Sequence, residues 1–380
     1  MPTLSYALRR LEKGNARVAE TVTDAAKYWV AFSRVPYIGP SRISRLTAHF
    51  GSLERAWGAP AGELRRVLDE RSSESLLKTR AAFSPDDEMA RLERDGIGIV
   101  TRDDPSYPSL LAEIPAPPPV LYTLGTLMPE DCDAVAIVGT RRMTSYGREI
   151  AQAFARDLAV VGVTVVSGLA RGIDGVAHEA ALRAGGRTIA VLGSGVRNIY
   201  PPEHRKLAAQ IAEQGVVVSD FAPDTQPDGP NFPARNRIIS GLSLGVVVVE
   251  APDRSGALIT VDFAADQGRD VFVVPGSVLS SRSAGGNRLL RDGARPVRSA
   301  EDVLEDLNLV RRSEQAAVQQ ALPLDDDERR VLAVLTADPQ HIDDVAALAN
   351  LPIAHAGAVL LTLELKGNVR NAGAQHYARR

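Results

Sequence analysis

Three consecutive residues, Gly139, Thr140 and Arg141, are the first in the chain whose types suggest a chemistry. They follow the apolar run Val135–Val138 and precede a helical stretch, so they form a strand-to-helix turn. Glycine lets a backbone approach a ligand closely. The helix start offers unpaired N–H groups and a positive dipole end. A guanidinium can grip two phosphate oxygens. Similar small-residue turns recur at Ser167-Gly168-Leu169-Ala170-Arg171-Gly172, at Gly193-Ser194-Gly195 and at Ser255-Gly256. If all four converge on one sheet edge, they line a groove that can follow a run of phosphates. A second cluster, Asn231-Phe232-Pro233-Ala234-Arg235-Asn236-Arg237, places an aromatic beside two arginines and two asparagines. Phe232 can stack on a base, and Arg235 and Arg237 can neutralise phosphates. The competing reading makes Phe232 a core anchor and Arg235 a buried partner of Glu250.

Other chemistries find little support. No Gly-Lys dipeptide occurs, which excludes a P-loop. Gly193-Ser194-Gly195 lacks the third glycine of a dinucleotide fingerprint. Gly241-Leu242-Ser243-Leu244-Gly245 spells a nucleophile elbow, but the strand follows the serine instead of preceding it. Asp174 and His178, four apart on a helix, could form an acid–base pair or half a metal site. Pinning the helix start and the preceding turn is the favoured role. The single cysteine, Cys132, rules out an intrachain disulfide and thiolate clusters. The residues therefore describe a groove that binds and does not react. The alternative is a nucleotide-processing enzyme, which would have to draw on Glu250, Asp174 or His178.

The positioning elements follow from pattern. Val135–Val138, Val163–Val166, Thr188–Leu192, Val216–Ser219, Leu244–Glu250 and Asp270–Pro275 are continuous β-branched runs, as in strands covered on both faces. Helical stretches at 147–160, 173–184, 203–214, 233–241 and 256–267 fall between them. That alternation predicts an α/β domain with a doubly wound, mostly parallel sheet. The chain has 380 residues, a net charge of −3 and 44% hydrophobic residues, so any nucleic-acid site is a local patch. Residues 1–24 read as disordered or frayed. Residues 25–95 are a helical unit with a helix-hairpin-helix pattern at Val35-Pro36-Tyr37-Ile38-Gly39-Pro40; its turn either holds a DNA phosphate or has lost that contact. The proline-rich stretch 96–130 is expected to run extended across the face of the next domain. Residues 301–323 read as a linker. Residues 324–380 resemble a winged helix, with Lys366, Arg370, Arg379 and Arg380 near its end for duplex DNA or a protein partner. Neither a membrane span nor a secretion signal is evident, and the expected location is the cytoplasm.

IVGTRRMTSYG, VSGLARGIDGVAHEAAL, VLGSGVRNIYP, NFPARNRIISGLS and SGALITVDFAADQGRDVFVVPG together resemble the DNA processing protein A, or Smf, family. The resemblance implies an extended Rossmann-like domain over 96–300, between a SAM/helix-hairpin-helix-like domain at 25–95 and a winged helix. It implies a homodimer that binds single-stranded DNA, without cofactor or catalysis. It further implies protection of incoming strands in natural transformation, loading of RecA recombinase onto DNA coated by single-strand binding protein, and annealing. By position, Gly139, Thr140 and Arg141 match the phosphate-gripping turn and Phe232 the base-stacking aromatic. Asn231, Arg235, Asn236 and Arg237 surround it, and Ser167, Arg171 and Gly195 lie nearby. The chain departs from many relatives in carrying Asp228-Gly229-Pro230 before the Asn-Phe-Pro element, Pro202 after Pro201, and Gly286 before the Asn-Arg pair.

Overall fold

The computed structural model describes residues 25–309, 325–336, 339–365, 368–373 and 375–379. The segment 1–24, most of the expected linker, and Lys366 and Arg380 lie outside the described residues. Backbone contacts divide the chain into two units, Met1–Val303 and Leu304–Arg380.

The first unit is organised by a nine-stranded sheet. Its strands are β1 (Gly98–Thr101), β2 (Val120–Gly125), β3 (Ala134–Val138), β4 (Thr164–Ser167), β5 (Thr188–Val191), β6 (Val216–Ser219), β7 (Gly245–Val248), β8 (Asp270–Val273) and β9 (Arg295–Pro296). Their spatial order is β1-β2-β6-β5-β4-β3-β7-β8-β9. From β6 to β9 all neighbours are parallel. Every residue of β3 to β7 is buried, because helices cover both faces and only apolar, β-branched or small side chains fit there. The chain winds outward from β3 through β4, β5 and β6, then returns to β3's other side for β7, β8 and β9. The winding therefore reverses between β4 and β7, with β3 in the middle. In such sheets this is where a crevice opens, beyond the carboxyl ends of the strands.

The proline-rich stretch differs from expectation. Val120–Gly125 does not cross the face of the sheet but joins its edge, antiparallel to β6, with Tyr122 opposite Ser219. Gly98–Thr101 adds outside it, Ile99 facing Tyr122. The prolines from Pro105 to Pro119 sit in the connection, where no ladder hydrogen bond is demanded of them. Leu111 and Ile114 anchor that connection in the core beside Leu242.

Six helices precede the sheet: α1 (Ala26–Ser33), α2 (Pro40–Phe50), α3 (Leu53–Gly58), α4 (Ala61–Val67), α5 (Glu70–Ala82) and α6 (Pro85–Arg94). Phe32 and Trp57 meet edge to face at 5.4 Å in their core. That core is continuous with Leu192, Val196, Leu207 and Ile211 of the sheet region. Tyr37, in the α1–α2 turn, has φ 66 and lies under the Arg71 guanidinium, 3.8 Å from its ring centroid. The helices that follow are α7 (Ser109–Ala112), α8 (Ser145–Val160), α9 (Ile173–Arg183), α10 (Arg205–Gln214), α11 (Asn231–Gly241), α12 (Gly256–Asp266), α13 (Ala284–Arg291) and α14 (Ala300–Asp306), in which the division between the two units falls.

The second unit contains α15 (Asp326–Val334), α16 (Ile342–Ala349) and α17 (Ile353–Leu365), with β10 (Gln340–His341), β11 (Val369–Gly373) and β12 (His376–Arg379) paired in the order β10-β12-β11. Three helices and a small antiparallel sheet make it a winged helix. The acidic run opens α15 through a reciprocal cap in which Asp325 and Glu328 each accept the other's backbone N–H. Val331, Val345, Leu360, Leu363 and Val369 form the core. Among the described residues, no single helix is long and apolar enough to cross a membrane.

Candidate nucleic-acid interface

A cleft of about 570 Å³ opens where the winding reverses. Its walls come from the turn after β3, the first turns of α11, and the turn between β7 and α12. Arg141, Arg142 and Arg254 are exposed and line it together with Phe232. The Arg141 guanidinium lies 5.6 Å from the centroid of the Phe232 ring. No carboxylate pairs with Arg141 among the described residues. Phe232 is half-buried, its ring 5.5 Å from that of Tyr200 and tilted by 48°. It covers Gly193 so closely that a Cβ there would stand 2.7 Å from the ring.

Gly139 and Thr140 build the turn, and Arg141 is its exposed side chain. A Cβ on Gly139 would come within 2.6 Å of Ile173, so the glycine is needed where α9 packs. Thr140 is buried, its N–H donating to the Glu250 carbonyl at 2.7 Å and its hydroxyl accepting from Arg142 N–H at 3.2 Å. The start of α8 is also not the open anion site expected of it. The buried Glu250 carboxylate occupies it, accepting from Thr144 N–H at 2.9 Å and from its hydroxyl at 2.5 Å. An internal anion thus already satisfies that helix end. The open helix end is that of α12. Ser255 caps it, accepting from Ala257 N–H at 3.3 Å; its first turn carries no acid; and a side chain on Gly256 would meet only open space. Arg254, beside this cap, and Arg142 are cleft residues that the sequence reading passed over. The signal was a basic residue immediately preceding a Ser-Gly helix start.

Several expected site residues are employed elsewhere. Ser167 is fully buried and its hydroxyl donates to the Ile137 carbonyl at 2.6 Å, so no phosphate reaches it. Gly195 packs against the backbone of Ala222 and Pro223, and its N–H donates to the Thr225 carbonyl at 2.9 Å, away from the cleft. Arg237 is paired with Asp220 at 2.6 Å and does not line the cleft. Arg235 is buried, as the competing reading held, but its partner is not Glu250. Its guanidinium donates to the Val191 carbonyl and fills the space over Gly168, where a Cβ would stand 2.8 Å from Cζ. Burial pushes its pKa down to about 10, with nearby Asp174 acting in the opposite direction. Arg235 therefore contributes a positive floor, while the second and third turns are filled by Arg235 and Phe232. Asn236 ties α11 to α12 through the Gly256 carbonyl at 3.2 Å. Asn231 opens α11, half-buried. Arg171 is exposed and paired with Glu203.

Asp174 and His178 do not act as a pair. The Asp174 carboxylate accepts from Gly168 and Ala170 N–H at 3.2 and 3.3 Å, which pins the turn after β4. Burial raises its pKa. His178 lies 2.7 Å through Nδ1 from the Thr188 hydroxyl, which itself donates to the Val165 carbonyl at 2.6 Å. A hydroxyl has one hydrogen, so Nδ1–H is the donor. Burial holds the His178 pKa down at about 3, leaving the ring neutral. Among the described residues, no group of three or more His, Cys, Asp or Glu side chains is placed to hold a metal ion.

Residues 98–308 match the family model for DNA recombination-mediator protein A, and residues 315–374 that for the DprA winged helix domain. The chain is 37% identical to Protein Smf of Synechocystis over 93% of its own length and 98% of the relative's. It is 42% identical to DNA processing protein DprA of Bacillus subtilis, over 58% of this chain and 74% of that one. The X-ray structure of DNA processing protein A from Streptococcus pneumoniae superposes with a TM-score of 0.65 at 33% identity, covering 73% of this chain and 97% of that chain. A Helicobacter pylori DNA processing protein A structure, described for its single-stranded DNA binding mode, gives a TM-score of 0.50 at 31% identity, over 56% and 95% of the two chains. A doubly wound sheet with a cationic cleft at its switch point, joined in sequence to a winged helix, agrees with these matches: the chain belongs to the DNA recombination-mediator protein A family of DNA processing proteins.

Proposed function

We propose that the protein binds single-stranded DNA without reacting with it, and that the cleft beyond β3 and β7 is the binding site. The observation that carries this reading is the juxtaposition of Arg141, without a carboxylate partner among the described residues, with the half-buried ring of Phe232, in a cleft also lined by Arg254 and the open first turn of α12. Cations and amides there suit phosphates, and the ring suits a base of any identity, a combination that favours a flexible strand over a stacked duplex. The Helicobacter pylori structure, with its described single-stranded DNA binding, supports the same choice. On this reading the protein protects incoming strands during transformation, loads RecA onto strands coated by single-strand binding protein, and promotes annealing, working in the cytoplasm as a homodimer. The winged helix then serves a partner or duplex DNA. The nucleotide-processing alternative is weakened because Glu250, Asp174 and His178 all hold the fold together.

The test is oligo(dT) binding by the full chain across a salt series. Each phosphate contact contributes about −0.7 to the slope of log affinity against log salt. Arg141→Ala is expected to weaken binding to every sequence and to make the slope shallower by about that amount. Unchanged affinity and slope would overturn the reading.

A further inference from the structure

Beyond Phe232, the cleft gives way to a shallow recess bordered by Arg171, Tyr200, Gly168 and Pro201, which shares Arg141 and Phe232 with it. At about 10 Å³ the recess has no room for a base, so what it offers a strand is its rim. Besides Arg141 and the buried Arg235, that rim carries Arg171, and Glu203 holds its guanidinium. Arg171 also lies close to Arg141. Gly172, the next residue, has φ +83 and packs so tightly that a Cβ on it would stand 2.8 Å from the Arg141 Cα. The two arginines thus project from touching turns, on the same side of the sheet, one ion-paired and one not.

Resting on the single-stranded DNA reading above, we propose that Glu203 occupies the seat of a second phosphate. A strand crossing Phe232 then displaces Glu203 from Arg171, which becomes a backbone contact. The side chains of Arg171 and Glu203 are 53% and 50% exposed, with Tyr200 as a second polar neighbour of the guanidinium. An exposed pair of this kind contributes little net stability, so exchanging a carboxylate for a phosphate costs little. Glu203 stands on a short 3₁₀ turn, Pro202–His204, at the very point where this chain has Pro202. The acid therefore tunes affinity: it keeps Arg171 oriented in the free protein and competes with the phosphate for it.

The experiment is oligo(dT) binding by the full chain, wild type against Glu203→Gln and Glu203→Ala, over a salt series, with thermal melting as a check on folding. Both variants are expected to bind about two- to fivefold more tightly, the value of the exposed pair expressed as affinity. In the Glu203→Gln background, Arg171→Ala is expected to abolish the gain and to reduce the salt slope by about 0.7. Glu179→Gln, which removes a nearby acid paired instead with Arg183, is expected to change nothing. Wild-type affinity in both Glu203 variants would overturn the proposal, as would a gain that survives Arg171→Ala. If wild-type protein fails to bind oligo(dT), the parent reading falls; if it binds through Arg141 while the Glu203 variants match wild type, only the competition falls.

Discussion

Two helix starts flank the same cleft and have opposite fates. At α8 a carboxylate from the chain itself, Glu250, takes the place an external anion would take. At α12 the cap is a serine, the first turn is free of acids, and the space beyond Gly256 is open. Both follow a β-branched strand and carry small residues, so their sequences look alike. The difference lies in a contact between residues 106 apart in the chain, Thr144 and Glu250. A phosphate-friendly turn is thus a binding site only if the fold leaves it empty.

The contrast can be broken at its filled end first. Glu250→Ala is expected to cost about 2–4 kcal/mol, because Thr144 N–H and its hydroxyl lose a buried acceptor. Thermal melting should show the loss, and added sulfate should recover part of it in the variant alone by binding the vacated helix end. Sulfate acting equally on wild type would mean that α8 was never occupied. At the open end, Arg141→Ala is expected to weaken oligo(dT) binding about tenfold or more, the value of a charge-assisted contact, with melting unchanged. Phe232→Leu keeps apolar volume over Gly193 but removes the stacking face. It should lose about 1–2 kcal/mol of binding with little change in salt slope. Arg254→Ala should be milder, a few-fold loss with a slope shallower by about 0.7, as for one peripheral phosphate contact. The smallest effect is expected for Arg237→Ala: with its guanidinium on Asp220, DNA affinity should stay within error of wild type. A large loss there would restore Arg237 to the site.

The strands were legible because continuous β-branched runs between turn residues have few alternatives when both faces are covered. Val120–Gly125 escaped notice as a strand because the prolines before it dominate the local pattern, and the ladder partner that joins it to the sheet, β6, lies far ahead in the chain. That Arg141 and Phe232 line the cleft was legible from residue type beside a turn. Ser167, Arg235 and Arg237 were not, since their types fit a phosphate equally well. What decides is the Ile137 carbonyl 30 residues before Ser167, the Val191 carbonyl 44 before Arg235, and the Asp220 carboxylate 17 before Arg237. Composition does not encode whether a polar side chain has found an internal partner. Arg254 was missed for the converse reason: its place in the cleft comes from the helix start that it adjoins.

The most direct measurement is a crystal structure of the full chain with a short oligo(dT). A phosphate within hydrogen-bonding distance of the Arg141 guanidinium and the Gly256 N–H, with a thymine stacked on Phe232, is the expected result. A strand bound elsewhere on the surface, with the cleft between Arg141 and α12 left empty, would contradict it.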